Sequence, residues 1–254
     1  MSETKRPRGR PPKYPPNEVK ERLIEAAVST LLDEGVDSGL DAIGLDAAIA
    51  TAGVPRGMSY RIWQDSDRTP QDALRHGVVL SLLQLPAGEG LNNTEQRLKE
   101  ELADASRLLE SDDPENRRHV VSELTRVVGL FNHDLLDSSP EWRLYNAVRA
   151  AAITRSDIDP EVEELLKRGE DLLIERYASL YQWVAETLDV SIRDGFTIEQ
   201  FAAAAYALNE GLSGRLSTSY QRTGIPRTNE SGETQDWALF SIGLEALIFH
   251  FFDI

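Results

Sequence analysis

The sequence predicts an all-α protein, and three observations carry that prediction. Apolar residues recur at three- and four-residue spacing along nearly the whole chain, the mark of helices with one buried face. Good N-cap residues precede proline at Thr69-Pro70, Asp113-Pro114, Ser139-Pro140 and Asp159-Pro160. Proline suits a first helical turn, where its missing N–H would be unbonded anyway. No hairpin signal separates alternating runs, so no strand is expected.

The elements follow in order. Residues 1–16 carry prolines at 7, 11, 12, 15 and 16 and almost nothing apolar, so a disordered arm is expected there. From Asn17, the residues Val19, Leu23, Ile24, Ala27, Leu31 and Leu32 form one apolar face, which Gly35 ends. Residues 36–44, dotted with Gly39 and Gly44, read as a loop or a weak helix start. Leu45, Ala48, Ile49 and Ala52 give a short second helix closed by Gly53, and Pro55 suits the opening position of a third that runs to Trp63. The polar break at residues 64–69 separates a head, 17–69, from a body, 70–254. Seven helical segments are expected in the body, near 70–85, 93–111, 114–136, 140–154, 160–189, 197–222 and 234–252. Asn93 with Gln96 and Thr197 with Gln200 read as capping boxes, and Thr234 as a further cap. Residues 223–233 look like an exposed loop.

Composition bounds the function. The formal net charge is −16, but it is unevenly spread. Residues 1–76 hold 11 of the 27 basic and 12 of the 43 acidic side chains, and five basic residues against one acid occupy the first sixteen positions. Only the N-terminal end therefore tolerates phosphate. With no cysteine, no disulfide or thiolate metal site is expected. The four histidines (76, 119, 133 and 250) lack metal-ligand spacing and read as structural, and no cofactor is implied. No apolar run approaches a bilayer span and no secretory leader is evident, so a cytoplasmic location without membrane contact is expected.

The stretch Ala52-Gly53-Val54-Pro55-Arg56-Gly57-Met58-Ser59-Tyr60-Arg61-Ile62-Trp63 has the layout of a helix-turn-helix, whose second helix enters the DNA major groove. Arg56 and Arg61 are suited to guanine edges or phosphates, and Met58 and Ser59 to base edges. Gly57 permits close backbone approach, while Ile62 and Trp63 pack the helix onto Leu23, Ala27 and Leu45. Upstream, Arg8-Gly9-Arg10-Pro11, flanked by Pro7 and by Pro12-Lys13, resembles an AT-hook lying in a narrow minor groove. A generic basic tail on phosphates is the equal alternative, with Arg8, Arg10 and Lys13 as contacts either way.

Residues 20–63 resemble the DNA-binding domain of the tetracycline-repressor-like (TetR) family. The matching elements are Leu23-Ile24-Glu25-Ala26-Ala27, Leu31-Leu32-Asp33-Glu34-Gly35, Ala52-Gly53-Val54, and Arg56-Gly57 followed by Tyr60 and Trp63. The resemblance implies a three-helix head and a helical ligand-binding and dimerisation body. It also implies that the Tyr60 hydroxyl meets a phosphate. Three departures stand out: a longer segment between Gly35 and Ala52, Pro55 where Ser or Thr is usual, and no lysine soon after Trp63. Either Arg68 supplies that lysine's phosphate contact or the chain lacks it.

In the body, Trp142, Tyr145, Asn146 and Arg149 share one helical face. With Asn132, Tyr177 and Tyr181 they are candidate lining for a small-molecule pocket, against the plainer reading of core packing. The apolar segments 197–222 and 234–252 suggest a partner, which by resemblance is a second copy of the chain. No Gly-x-Ser-x-Gly, Walker or His-Glu-x-x-His pattern occurs, so no enzyme is expected. The expected function is a homodimeric transcriptional regulator, a repressor released from a pseudo-palindromic operator by a small-molecule effector. The alternative is an architectural DNA binder without ligand control.

Overall fold

The computed structural model describes residues 14–34, 43–64, 66–84, 89–105, 114–154, 156–213, 223–229 and 232–254. The expected arm residues Arg8, Arg10 and Lys13 lie outside them, as do Gly35 and residues 214–222. The described chain is helical apart from two small ribbons, and it divides into two compact units, residues 1–82 and 83–254.

The first unit holds α1 (Pro16–Glu34), α2 (Leu45–Ala52), α3 (Arg56–Arg61) and α4 (Pro70–Leu82). Its core forms where the three/four periodicity of α1 meets that of α4: Val19, Leu23, Leu74 and Val78 are fully buried. Gly77 permits this approach, since a Cβ there would sit 2.7 Å from Ile24 Cδ1. The division falls after α4, which packs against α1 and α2. Thr69 caps α4, its Oγ accepting from the Asp72 N–H at 3.2 Å. Pro55 is the N-cap of α3 and not its first residue, with extended φ −66° and ψ 125°, and the helix stops at Arg61 short of Trp63.

The second unit comprises α5 (Glu89–Ala105), α6 (Pro114–Ser138), α7 (Pro140–Ile153), α8 (Pro160–Thr187), β1 (Ser191–Ile192), α9 (Ile198–Ser213), β2 (Ile225–Thr228), β3 (Thr234–Trp237), α10 (Leu239–Phe251) and β4 (Phe252–Asp253). The expected caps at Ser139 and Asp159 accept from the N–H groups of Trp142 and Glu161 at 3.1 and 3.0 Å. The Thr197–Gln200 box closes reciprocally, at 3.0 and 3.3 Å. Asn93 does not start a helix, because α5 already runs from Glu89. Gly90, Asn92 and Asn93 are poor helix formers and disguised its first turn.

The expectation of no strands is corrected. Antiparallel β1 and β4 pair Ser191 with Asp253, and β2 and β3 pair Ile225 with Trp237 through to Thr228 with Thr234. Thr234 therefore opens a strand and caps no helix, and α10 begins at Leu239. Runs of two to four residues are too short for alternation to register in a sequence. What fixes the β2–β3 ribbon is chemistry on its inner side. Arg227 lies 4.3 Å over the Trp237 ring and donates at 2.6 Å to the buried Glu245 carboxylate. Ser122 Oγ on α6 donates to the other oxygen of Glu245, also at 2.6 Å, so the buried charge is fully partnered. Beside it α6 and α10 approach closely at Gly129, where a Cβ would lie 2.3 Å from Ser241 Oγ. No helix among the described residues is long and apolar enough to cross a membrane.

Candidate nucleic-acid interface and ligand cavity

In the first unit, Gly53 ends α2 at φ 61°, a left-handed conformation that redirects the chain into α3. Val54 is buried beside it, and the Pro55 carbonyl then accepts from the N–H groups of Met58 and Ser59 at 3.0 and 3.1 Å. Spacing of four places Ser59 with Trp63 on the inner side, where both are buried. The same spacing sets Arg56 with Tyr60, and Gly57 with Arg61, on the outer side. These four are exposed and Met58 is half-buried.

The expectation that Ser59 reads a base edge is thereby corrected. Its side chain is fully buried and its hydroxyl donates to the Pro55 carbonyl at 3.1 Å, so it anchors the helix. The Arg61 guanidinium has no hydrogen-bond or ion-pair partner among the described residues, while its carbonyl accepts from the Gln64 N–H at 3.1 Å. A Cβ on Gly57 would meet nothing within 4 Å. Arg68 is exposed in the turn before α4, where its backbone N–H donates to Ser66 Oγ at 3.2 Å.

Two residues that position this face were not singled out from the sequence. Asp46, in the first turn of α2, accepts from Arg56 Nη2 at 2.9 Å and from the Tyr60 hydroxyl at 3.2 Å. Arg56 also sits 5.8 Å from the Tyr60 ring centre, and contact with Tyr60, then Asp46, holds its pKa above the ordinary arginine value. Gln71, in the first turn of α4, spans the start of α2. Its Oε1 accepts from the Leu45 N–H at 2.7 Å and its Nε2 donates to the Ile43 carbonyl. Because Gly44 offers α2 no side-chain cap, a side chain 26 residues downstream of Leu45 satisfies the first orphan N–H. An i,i+3 capping pattern would not reveal so distant a partner.

In the second unit, α5, α6, α8, α9 and α10 line a partly open cavity of about 100 Å³. Of the expected lining residues, Asn132, Tyr177 and Tyr181 border it, and the structure adds Thr94, Tyr206 and Asn209. Thr94 donates to the Asn132 carbonyl oxygen at 2.9 Å in a buried pair. Tyr177 stacks on Tyr181 with ring centres 6.1 Å apart and lies 6.0 Å from Tyr206, and Tyr181 meets Phe201 edge-on at 4.7 Å. Burial pushes the Tyr177 hydroxyl up to about 12, against the opposing Arg176 charge and Asn209 hydrogen bond. Burial likewise raises Tyr181 and Tyr206, helped by Tyr177 and Tyr145 respectively. All three are neutral phenols at neutral pH.

Trp142, Tyr145, Asn146 and Arg149 do not border the cavity. Their shared face on α7 packs inward, with Trp142 and Tyr145 buried and stacked at 5.5 Å. Arg149 instead ties three helices together, donating to Glu170 on α8 and Glu210 on α9. The polar side chains that do reach the cavity from α9, Tyr206 and Asn209, interrupt the most apolar stretch of that helix at three-residue spacing, which is the signal that would have found them. Much of the apolar surface of α9 and α10 is spent on this core: Phe201, Ala202, Ala205, Phe240 and Leu244 are buried. Leu208, Ile242, Leu247 and Phe249 remain half-buried.

No family model and no curated protein matches the chain. Several solved structures are similar to it. One, from Mesorhizobium loti MAFF303099 and assigned to the TetR family of transcriptional regulators, is 13% identical, with 95% of this chain and 100% of that one covered at a TM-score of 0.48. Another so assigned, from Rhodococcus sp., is 19% identical over 78% of this chain and 87% of that one, at a TM-score of 0.40. The reduced form of E. coli NemR is 14% identical over 77% and 86%, at 0.41.

Proposed function

We propose that this chain is a sequence-specific DNA-binding transcriptional regulator, a repressor that a small molecule releases from its operator. One observation carries the reading. A short helix, set by a left-handed glycine and anchored by Ser59 and Trp63, holds Arg56, Gly57, Tyr60 and Arg61 together in solvent. Such a face offers guanidinium groups for base edges, a phenol for phosphate, and a glycine where the backbone comes close. Arg68 and the basic arm residues Arg8, Arg10 and Lys13 add phosphate contacts at the same end of the chain.

Two such faces are needed to read a pseudo-palindrome, so the working form is a homodimer, joined through segments 197–222 and 234–252. Ala203, Ala204, Ala207 and Gly211 of α9 remain half-buried to exposed and suit close helix approach by a second copy. The effector occupies the cavity of the second unit. It releases DNA by binding more tightly to a dimer whose heads no longer match successive major grooves. Helix α4, whose Gln71 fixes the start of α2, is the segment through which that change reaches the reading helix. The test is nuclease footprinting on genomic DNA. Protection of a short inverted repeat supports the proposal, whereas uniform coating without a preferred site overturns it.

A further inference from the structure

We infer that the cavity of the second unit selects an uncharged, largely apolar ligand with one hydrogen-bond-accepting head group. This rests on the reading of that cavity as the effector site. Among the described residues no Asp, Glu, Lys, Arg or His side chain borders it, and the ionisable side chains on its wall are those of Tyr177, Tyr181 and Tyr206. Those phenols are neutral at neutral pH, so a charged ligand would leave water without meeting an oppositely charged side chain of the wall.

Some of the polar groups that line the cavity hold unused donors. The Asn132 oxygen is already occupied by the Thr94 hydroxyl, while the amide N–H₂ has no partner among the described residues. The Tyr181 hydroxyl likewise has no partner among the described residues, although its ring is held between Tyr177 and Phe201. The Tyr206 hydroxyl is also without a hydrogen-bond partner among the described residues, so an acceptor entering this largely apolar chamber finds donors to satisfy. A carbonyl, ether or hydroxyl oxygen is such an acceptor. The remaining wall is largely apolar, with Leu98, Val121, Leu244 and Ile248 beside Phe201 and Phe240, and fits a hydrocarbon body.

Three probes with one carbon skeleton separate charge from shape: decanol, decanoate and decylammonium, titrated calorimetrically into the full-length protein at neutral pH. Decanol is expected to bind with a negative heat-capacity change, and the two ions at least about tenfold more weakly. Tyr181→Phe and Asn132→Leu remove one donor each and should weaken decanol about fivefold apiece. Tyr181→Phe keeps the ring, so it reads the hydroxyl without emptying the core. Binding of either ion as tightly as decanol overturns the ligand class and leaves the cavity's role as an effector site standing. If none of the three binds, both fail. Unchanged decanol affinity in both variants overturns the assigned head-group contacts.

Discussion

Replacing Gln71 with alanine deletes both hydrogen bonds at the start of α2, the one accepted from the Leu45 N–H and the one donated to the Ile43 carbonyl. Each part-buried bond contributes about 0.5–1.5 kcal/mol net, so the pair contributes roughly 1–3 kcal/mol to holding α2 in place. Since 1.4 kcal/mol is about a factor of ten, amide exchange at Leu45 should accelerate roughly five- to more than a hundredfold. Ala48, whose N–H bonds the Gly44 carbonyl at 3.0 Å, should follow, while amides of α9 in the other unit should not change. Gln71→Glu separates the two bonds. It keeps an acceptor for Leu45 but faces the Ile43 carbonyl with a carboxylate oxygen, so it should fall at or below the alanine variant in stability. Hydrogen exchange by NMR, run beside DNA titration, reads both effects, and operator affinity should fall with the loosened α2. Wild-type protection at Leu45 in Gln71→Ala would refute the idea that α4 caps α2.

Three further outcomes are expected. Ser59→Ala removes the bond to the Pro55 carbonyl and should lower stability by about 0.5–1.5 kcal/mol while leaving sequence preference unchanged; an altered preference would return Ser59 to the reading face. Asp46→Asn takes a negative charge from the interface and frees Arg56, so DNA binding should tighten and the salt dependence steepen by about one counterion, with weaker binding as the contrary result. Alkaline titration followed by tyrosinate absorbance should be biphasic. Tyr177, raised to about 12, and the likewise raised Tyr145, Tyr181 and Tyr206 stay protonated in the folded chain after unfolded-state phenols have ionised. Their contribution to stability is therefore complete below the ordinary tyrosine pKa of about 10 and is lost as pH rises through the folded values. A single phase near the ordinary value with the fold intact would contradict the buried placement.

Local rules made the helices legible. Proline after an N-cap residue marked α4, α7 and α8 because that chemistry lies within four adjacent residues. The periodicity of Val19, Leu23 and Ala27 marked the buried face of α1 for the same reason. What the sequence hid depends on partners far along the chain. Gln71 looks like any polar first-turn residue until Leu45 is beside it. Ser59 has a base reader's chemistry, and only the packing of α3 turns it inward. Trp142, Tyr145, Asn146 and Arg149 share a face, as their spacing requires, but periodicity cannot say whether a face meets a cavity or another helix. The β2–β3 ribbon is held by Arg227, Trp237 and Glu245, a constellation assembled across three elements.

The central claim is that the outer face of α3 reads DNA sequence. Selection of bound duplexes from a random pool tests it most directly, with wild-type protein and Arg61→Ala run in parallel. Wild type should enrich an inverted repeat whose halves lie about one helical turn, or a multiple of one, apart. Arg61→Ala should keep the repeat but lose preference at one position in each half, with roughly five- to hundredfold weaker discrimination there. A pool without an enriched repeat, or the same repeat selected with undiminished preference by Arg61→Ala, would contradict the account.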